Sequence, residues 1–289
     1  MTYFEQLLEA TIRQVERLRQ QQVRYLPVSP ELVRALEQPL SQPERKFVRK
    51  DPPMVPVKAT PAAAPSVAVE RFTEEPFSST DKVAAIDHLR ERALACVKCP
   101  HLVRSRRSVV FGVGSIDAVL MFVGEAPGVD EDAQGEPFVG KAGQLLTRII
   151  ETMGLSRETV YIANVLKCRP DTPGRKFGNR KPTPQEMVTC RPYLMEQIRM
   201  IQPKVIVALG ATAVEGLMGL SSVGITKYRG QFREFGGIPM MPTYHPSYVL
   251  RNQSHRIKRQ IWEDMLQVME RLSLPVSEKQ RGYFAKGVS

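Results

Sequence analysis

Hydrophobic and polar positions along the chain follow three successive regimes. Over residues 3–25 the apolar side chains Phe4, Leu7, Leu8, Ile12, Val15 and Leu18 recur at helical spacing with a polar opposite face, which predicts an amphipathic helix. Such a helix docks either on its own protein or on a partner. Residues 39–80 have no usable period. Eight prolines (Pro39, Pro43, Pro52, Pro53, Pro56, Pro61, Pro65 and Pro76) interrupt them, and a stretch of this kind resists both helix and sheet. From residue 81 the periodicity returns. The expected organisation is a helical extension over 1–38, a disordered linker over 39–80, a folded domain over 81–275 and a flexible tail over 276–289.

Within the domain, DKVAAIDHLRERALAC reads as a helix capped by Thr80 or Asp81. Four short apolar runs read as buried strands: AVLMFVG (118–124), VYIANVL (160–166), KVIVALG (204–210) and IPMMPTY (238–244). Helical segments separate the first three, AGQLLTRIIETMG and TPQEMVTCRPYLMEQIRMI, and ATAVEGLMG follows the third strand. Thr183, Pro184 and Glu186 occupy the N-cap, N1 and N3 positions of a capping box. Strand–helix alternation predicts an α/β fold with a mainly parallel sheet covered by helices. Ligands of such sheets bind beyond the carboxyl ends of the strands. There the chain places GEAPG, then Asn164 with Lys167–Cys168–Arg169, then LGATA, then His245–Pro246–Ser247.

Composition narrows the classes. No run approaches the ~20 apolar residues that span a membrane. The N-terminus lacks a basic region followed by an apolar one, which points away from secretion and toward a cytoplasmic protein; a monomer is expected. The formal net charge of +11 favours polyanionic partners, nucleic acid among them. Without a signal peptide, four cysteines are a poor disulfide framework. Cys96 and Cys99 form a C-x-x-C pair, while Cys168 and Cys190 stand far apart, Cys190 within a predicted helix. Thiolates from separate elements suit a [4Fe–4S] cluster or zinc, and buried free thiols are the plain alternative. The basic neighbours Lys167 and Arg169 favour thiolate at Cys168.

The segments GEAPGVDEDAQGEPFVGKAGQLL, NVLKCRP, PTPQEMVTCRPYL and HPSYVLR, in this order, resemble family 4 uracil-DNA glycosylases over residues 85–272. The resemblance implies a three-layer α/β/α sandwich. It also implies a [4Fe–4S] cluster on Cys96, Cys99, Cys168 and Cys190, and hydrolysis of the uracil N-glycosidic bond in DNA. A base inside a duplex must first be flipped out, at a cost of a few kcal/mol. The bond then breaks as negative charge builds on uracil, so catalysis needs donors aimed at that anion and a poised water.

By this resemblance His245 donates to uracil O2, and Asn164 reads the base edge, since a carboxamide presents a donor and an acceptor together. Phe138 stacks on the ring, and the Glu125–Ala126 turn meets the base. Related families carry an aspartate where this chain has Ala126. Glu125 is therefore expected to orient the water, with Glu131 and Asp132 as alternatives. Ser247 and Arg251 should hold phosphate, with Val249 or Leu250 wedging into the vacated stack.

The 171–181 segment, DTPGRKFGNRK, is longer than the short link expected there. A covalently trapping relative carries a basic insertion here with a reactive histidine. This loop has Arg175, Lys176 and Arg180 but no histidine, so ordinary turnover and phosphate contacts are expected. No positioned lysine nucleophile is recognisable, which implies a monofunctional enzyme. The alternatives are a glycosylase for another deaminated base, or an iron–sulfur DNA-binding module without catalysis. The N-terminal helix would serve a repair or replication partner.

Overall fold

The computed structural model describes residues 79–171 and 179–285. The expected N-terminal helix and most of the proline-rich linker lie outside the described residues, as do Arg175 and Lys176.

A six-stranded sheet runs through the domain in the order β1 (Val113–Gly114), β3 (Tyr161–Asn164), β2 (Leu120–Gly124), β4 (Val205–Leu209), β6 (Ile238–Thr243) and β5 (Arg233–Phe235). The four inner strands fall within the four apolar runs and pair in parallel, with Gly124 opposite Asn164 and Val207 opposite Met241. The two edge strands pair antiparallel and had no counterpart in the sequence pattern. Each is only two or three residues long and takes its conformation from the neighbour it pairs with.

Strand side chains alternate between faces, and both faces of this sheet are covered. Leu120 and Phe122 of β2 and Val205, Val207 and Leu209 of β4 pack on one side. Their partners there are α4 (Lys141–Thr152), through Leu146 and Ile150, and α9 (His255–Arg271), through Trp262, Met265 and Met269. Met121, Val123, Ile206 and Ala208 pack on the other. They meet Leu194 and Ile198 of α5 (Pro184–Ile201) and Ala213, Val214 and Leu217 of α6 (Ala211–Met218). Burying each such side chain contributes about 1.5–3 kcal/mol, so continuous apolar strands are the natural filling of a three-layer sandwich.

A third apolar cluster lies beside the sandwich. There Ile86 and Leu89 of α1 (Ser79–Leu94) meet Leu102 of α2 (Pro100–Ser105), Phe111, Leu166 and Tyr193. Cys168 and Cys190 are buried in this cluster, and Cys96 and Cys99 pack on its edge. Short helices α3 (Val129–Gln134), α7 (Ile225–Tyr228), α8 (Pro246–Arg251) and α10 (Glu278–Arg281) complete the domain.

Two boundaries differ from expectation. α1 begins at Ser79, so Thr80 and Asp81 lie within its first turn. The tail expected from residue 276 is docked through Tyr283. Trp262 Nε1 donates to Gln280 O at 2.5 Å, Gln280 Nε2 donates to Thr152 O at 2.7 Å, and Tyr283 packs on the Trp262 ring. Polar residues at 277–281 concealed this, because the bonds that hold the segment come from elements remote in sequence. No helix among the described residues is long and apolar enough to cross a membrane.

Candidate active site

The carboxyl ends of β2, β3, β4 and β6 open into one cleft of about 550 Å³, where Glu125, Phe138, Asn164, His245, Ser247 and Arg251 converge. Asn164 ends β3 and is 2% exposed, and its Oδ1 has no hydrogen-bond partner. A buried, unpaired carbonyl costs free energy unless something arrives to bond it. Phe138 lies alongside, with its ring centroid 5.6 Å from that of His245 and an interplanar angle of 31°. Gly124 makes this floor feasible: a Cβ there would stand 2.5 Å from Phe138 Cζ and would also strike Asn164 Oδ1.

His245 is the N-cap of α8. Its Nδ1 accepts from the Ser247 N–H at 3.1 Å and lies 2.8 Å from Ser247 Oγ. An acceptor Nδ1 carries no proton, so the neutral ring carries its hydrogen on Nε2, the atom left to act on a ligand. Burial, and secondarily the Arg251 charge, pull the His245 pKa down to about 4. The ring is therefore a neutral donor at ordinary pH. Ser247, expected to contact phosphate, is turned toward His245 and fixes its tautomer.

Among the acidic candidates, the geometry separates three roles. Glu131 accepts from the backbone N–H groups of Gly128, Val139 and Gly140 at 2.9, 3.0 and 3.0 Å, so its carboxylate ties the loop together. Asp132 is buried and accepts from the N–H groups of Arg107 and Ser108. Glu125 lines the cleft. Burial raises its pKa above the usual carboxylate range, against a Thr212 hydrogen bond and the Lys181 charge, while Glu215 adds to the rise.

The DNA-facing expectations need two corrections. Val249 is 5% exposed and packs into the core, so its side chain is not available as a wedge; Leu250, half-buried on the same helix, is the nearer candidate. Arg180 is not a free phosphate contact. Its guanidinium forks onto the buried Glu186 carboxylate and also donates to Lys181 O. Glu186 accepts from Thr183 N as the capping box anticipated, and also pairs with His101. Burial alone would push the Glu186 carboxyl up, but its bonds to Arg180, Thr183 and His101 outweigh it and hold the pKa at about 2. Arg251 stays exposed at the cleft mouth, and Ala126 lines it beside Glu125.

The four cysteines, from three segments, border one apolar cluster. Arg106 Nη1 donates to Cys168 Sγ at 3.1 Å and Nη2 to Cys96 O at 2.8 Å. The Lys167 N–H donates to Cys190 Sγ at 3.3 Å. Burial pushes the Cys190 thiol up to about 12 and raises Cys168 and Cys99. Such sulfurs become thiolates only beside a compensating positive centre. The set is sulfur-only and already carries N–H···S donors, which is chemistry suited to an iron–sulfur cluster. Among the described residues no three His, Cys, Asp or Glu side chains are grouped tightly enough to hold a single metal ion.

The family profile described as the uracil DNA glycosylase superfamily matches residues 111–266. The type-4 uracil-DNA glycosylase of Thermotoga maritima is 48% identical over 177 residues, which are 61% of this chain and 88% of that protein. The type-4 enzyme of Saccharolobus solfataricus is 41% identical over 196 residues, 65% of this chain and 87% of that protein. The type-5 uracil-DNA glycosylase of Pyrobaculum aerophilum is only 26% identical over 192 residues, 56% of this chain and 82% of that protein. This chain belongs to the type-4 uracil-DNA glycosylases.

Seen as a type-4 glycosylase, the site holds residues that sequence reasoning passed over. Lys167 was read as a basic neighbour of Cys168, yet it is 1% exposed. Its Nζ donates to Asn164 O at 3.0 Å and to Gln197 Oε1 at 2.6 Å, tying the cleft end of β3 to α5. Burial lowers its pKa to about 8, with Cys190 opposing. Arg106 could not be told from Arg104 or Arg107 in the run RSRR, since only the fold turns one of them to a cysteine sulfur. Arg157, which lines no part of the cleft but donates to the carbonyls of Pro137 and Phe138, was passed over as well.

Proposed function

We infer that the chain is a DNA-repair hydrolase that removes uracil from DNA and leaves an abasic site. The observation that carries this reading is the buried Asn164 carboxamide, whose Oδ1 is unpartnered, facing a cleft shared with Phe138 and a neutral His245. A flipped uracil satisfies all three. Its imide edge pairs with Asn164, its face stacks on Phe138, and its O2 accepts from His245 Nε2–H as the C1′–N1 bond breaks. The bonding electrons leave with the uracil anion. Glu125 holds a water against C1′ and takes its proton as the new C–O bond forms, a task suited to a carboxylate with a raised pKa. Arg251 holds the phosphate backbone and Leu250 fills the vacated stack.

Cys96, Cys99, Cys168 and Cys190 would hold a [4Fe–4S] cluster. When bound, the group supplies a rigid cross-link between the α1–α2 junction, the strand end after Asn164 and α5. Lys167 then joins that cross-link to the Asn164 backbone, so base reader and cysteine nest form one unit.

The test is base release from uracil-containing single- and double-stranded oligonucleotides, followed by alkaline cleavage and electrophoresis, beside a His245→Ala variant. Release by the parent and a loss of about 10²–10³-fold in the variant support the reading. No release by protein with a full complement of iron would overturn it.

A further inference from the structure

Phe138 is held in an unusual way. Its φ is 56°, in the left-handed region that a bulky aromatic rarely adopts and that persists only where the surroundings dictate it. Two groups dictate it here through the main chain. Arg157, in the turn before β3, donates from Nη1 to Phe138 O at 3.0 Å and from Nη2 to Pro137 O at 2.8 Å. From the other direction Glu131 accepts the N–H groups of Val139 and Gly140. Residues 137–140 are thus pinned by carbonyls on one side and amides on the other. Gly143 of α4 leaves room for the turn, since a Cβ there would collide with the Phe138 backbone.

We propose that Arg157 is a positioning residue for uracil: it sets the Phe138 ring in its base-stacking orientation by clamping two successive carbonyls. The proposal rests on the reading of Phe138 as the stacking residue. A planar guanidinium with two parallel N–H groups can hold adjacent carbonyls at once, whereas an ammonium is a single point donor. Arg157 is 19 residues from Phe138, lines neither the cleft nor the cysteine nest, and is itself only half-buried. Its loss should therefore impair handling of the flipped base while leaving the grip on the DNA backbone intact.

The experiment compares the full chain with Arg157→Ala, Arg157→Lys, Phe138→Leu and the Arg157→Ala/Phe138→Leu double variant. The readouts are kcat and KM on a uracil oligonucleotide and affinity for the same duplex without uracil. The expected result for Arg157→Ala is a fall in kcat of about 10–100-fold, the scale of an ångström misplacement. Arg157→Lys should fall between it and the parent, and uracil-free affinity should stay within about twofold. The double variant should be no worse than Phe138→Leu alone, because the clamp acts only through that ring. Losses that multiply would overturn the proposal, as would an unimpaired Arg157→Ala beside an impaired Phe138→Leu. An unimpaired Phe138→Leu would instead refute the stacking reading, and the clamp with it. If Arg157→Ala does not fold, Arg157→Lys and its double with Phe138→Leu carry the same comparison.

Discussion

Replacing Gly124 by alanine tests the floor of the base cleft directly. Gly124 ends β2, opposite Asn164 in the register with β3, and its φ lies outside the left-handed region, so the backbone accepts alanine without strain. What it does not accept is the methyl group. The added Cβ would sit 2.5 Å from Phe138 Cζ and 2.7 Å from Cε2, where carbon atoms ordinarily approach to about 3.5–4.0 Å. It would also overlap Asn164 Oδ1.

Ring and carboxamide must then retreat by roughly 1 Å, or the two strands must part. Overpacking of this kind costs about 1–3 kcal/mol of stability, and about 2–4 °C of melting temperature accompanies each kcal/mol in a domain of this size. A 1 Å misplacement of groups that hold a reacting base costs about 10²-fold in rate. The expected outcome is a folded protein with modestly lowered Tm and single-turnover uracil release reduced by about 10²-fold. The assay is alkaline cleavage of a labelled uracil oligonucleotide at protein excess. Release within about threefold of the parent, with the Tm lowered as calculated, would show that uracil does not rest on Asn164 and Phe138.

Other outcomes follow from the same geometry. On the proposed mechanism Glu125 must be ionised to take the water's proton, and burial raises its carboxyl above the ordinary range, while His245 stays neutral down to about 4; uracil release should therefore be flat through neutral pH and fall in acid as Glu125 protonates, ahead of His245, and release that rose on acidification would contradict this. The unfolded chain takes up a proton near pH 6.5 that the folded His245 refuses down to about 4, so stability should decline across that interval as pH falls, as read by denaturant melts. Glu186→Gln removes charge-assisted bonds to Arg180 and should cost about 1–3 kcal/mol near neutral pH in chemical denaturation. The parent's advantage is complete above about pH 4.5 and shrinks as pH falls through about 2, so an advantage that grew on acidification would refute the assignment. Cys168→Ser should lower iron content, the thiolate-to-iron absorbance, Tm and DNA affinity together; unchanged iron and Tm would remove the cysteine from the cluster.

The sequence by itself determined whatever depends on short chain separations. The inner strands are legible as continuous apolar runs because both faces of their sheet are covered, and the start of α5 because Thr183, Pro184 and Glu186 cap within one turn. Asn164 and His245 could be placed at strand ends because motif and strand are contiguous. Tertiary structure decided the rest. The edge strands are too short for a period and exist through pairing with β3 and β6. Val249 and Leu250 are adjacent apolar residues on a short helix, and only the packing of α8 against the core buries one rather than the other. Arg180 and Arg157 look like any other surface arginine. One turns to Glu186 and the other reaches back 19 residues to Phe138. A charged side chain has no local preference that names its partner; that choice is made by burial and distance after the chain has folded.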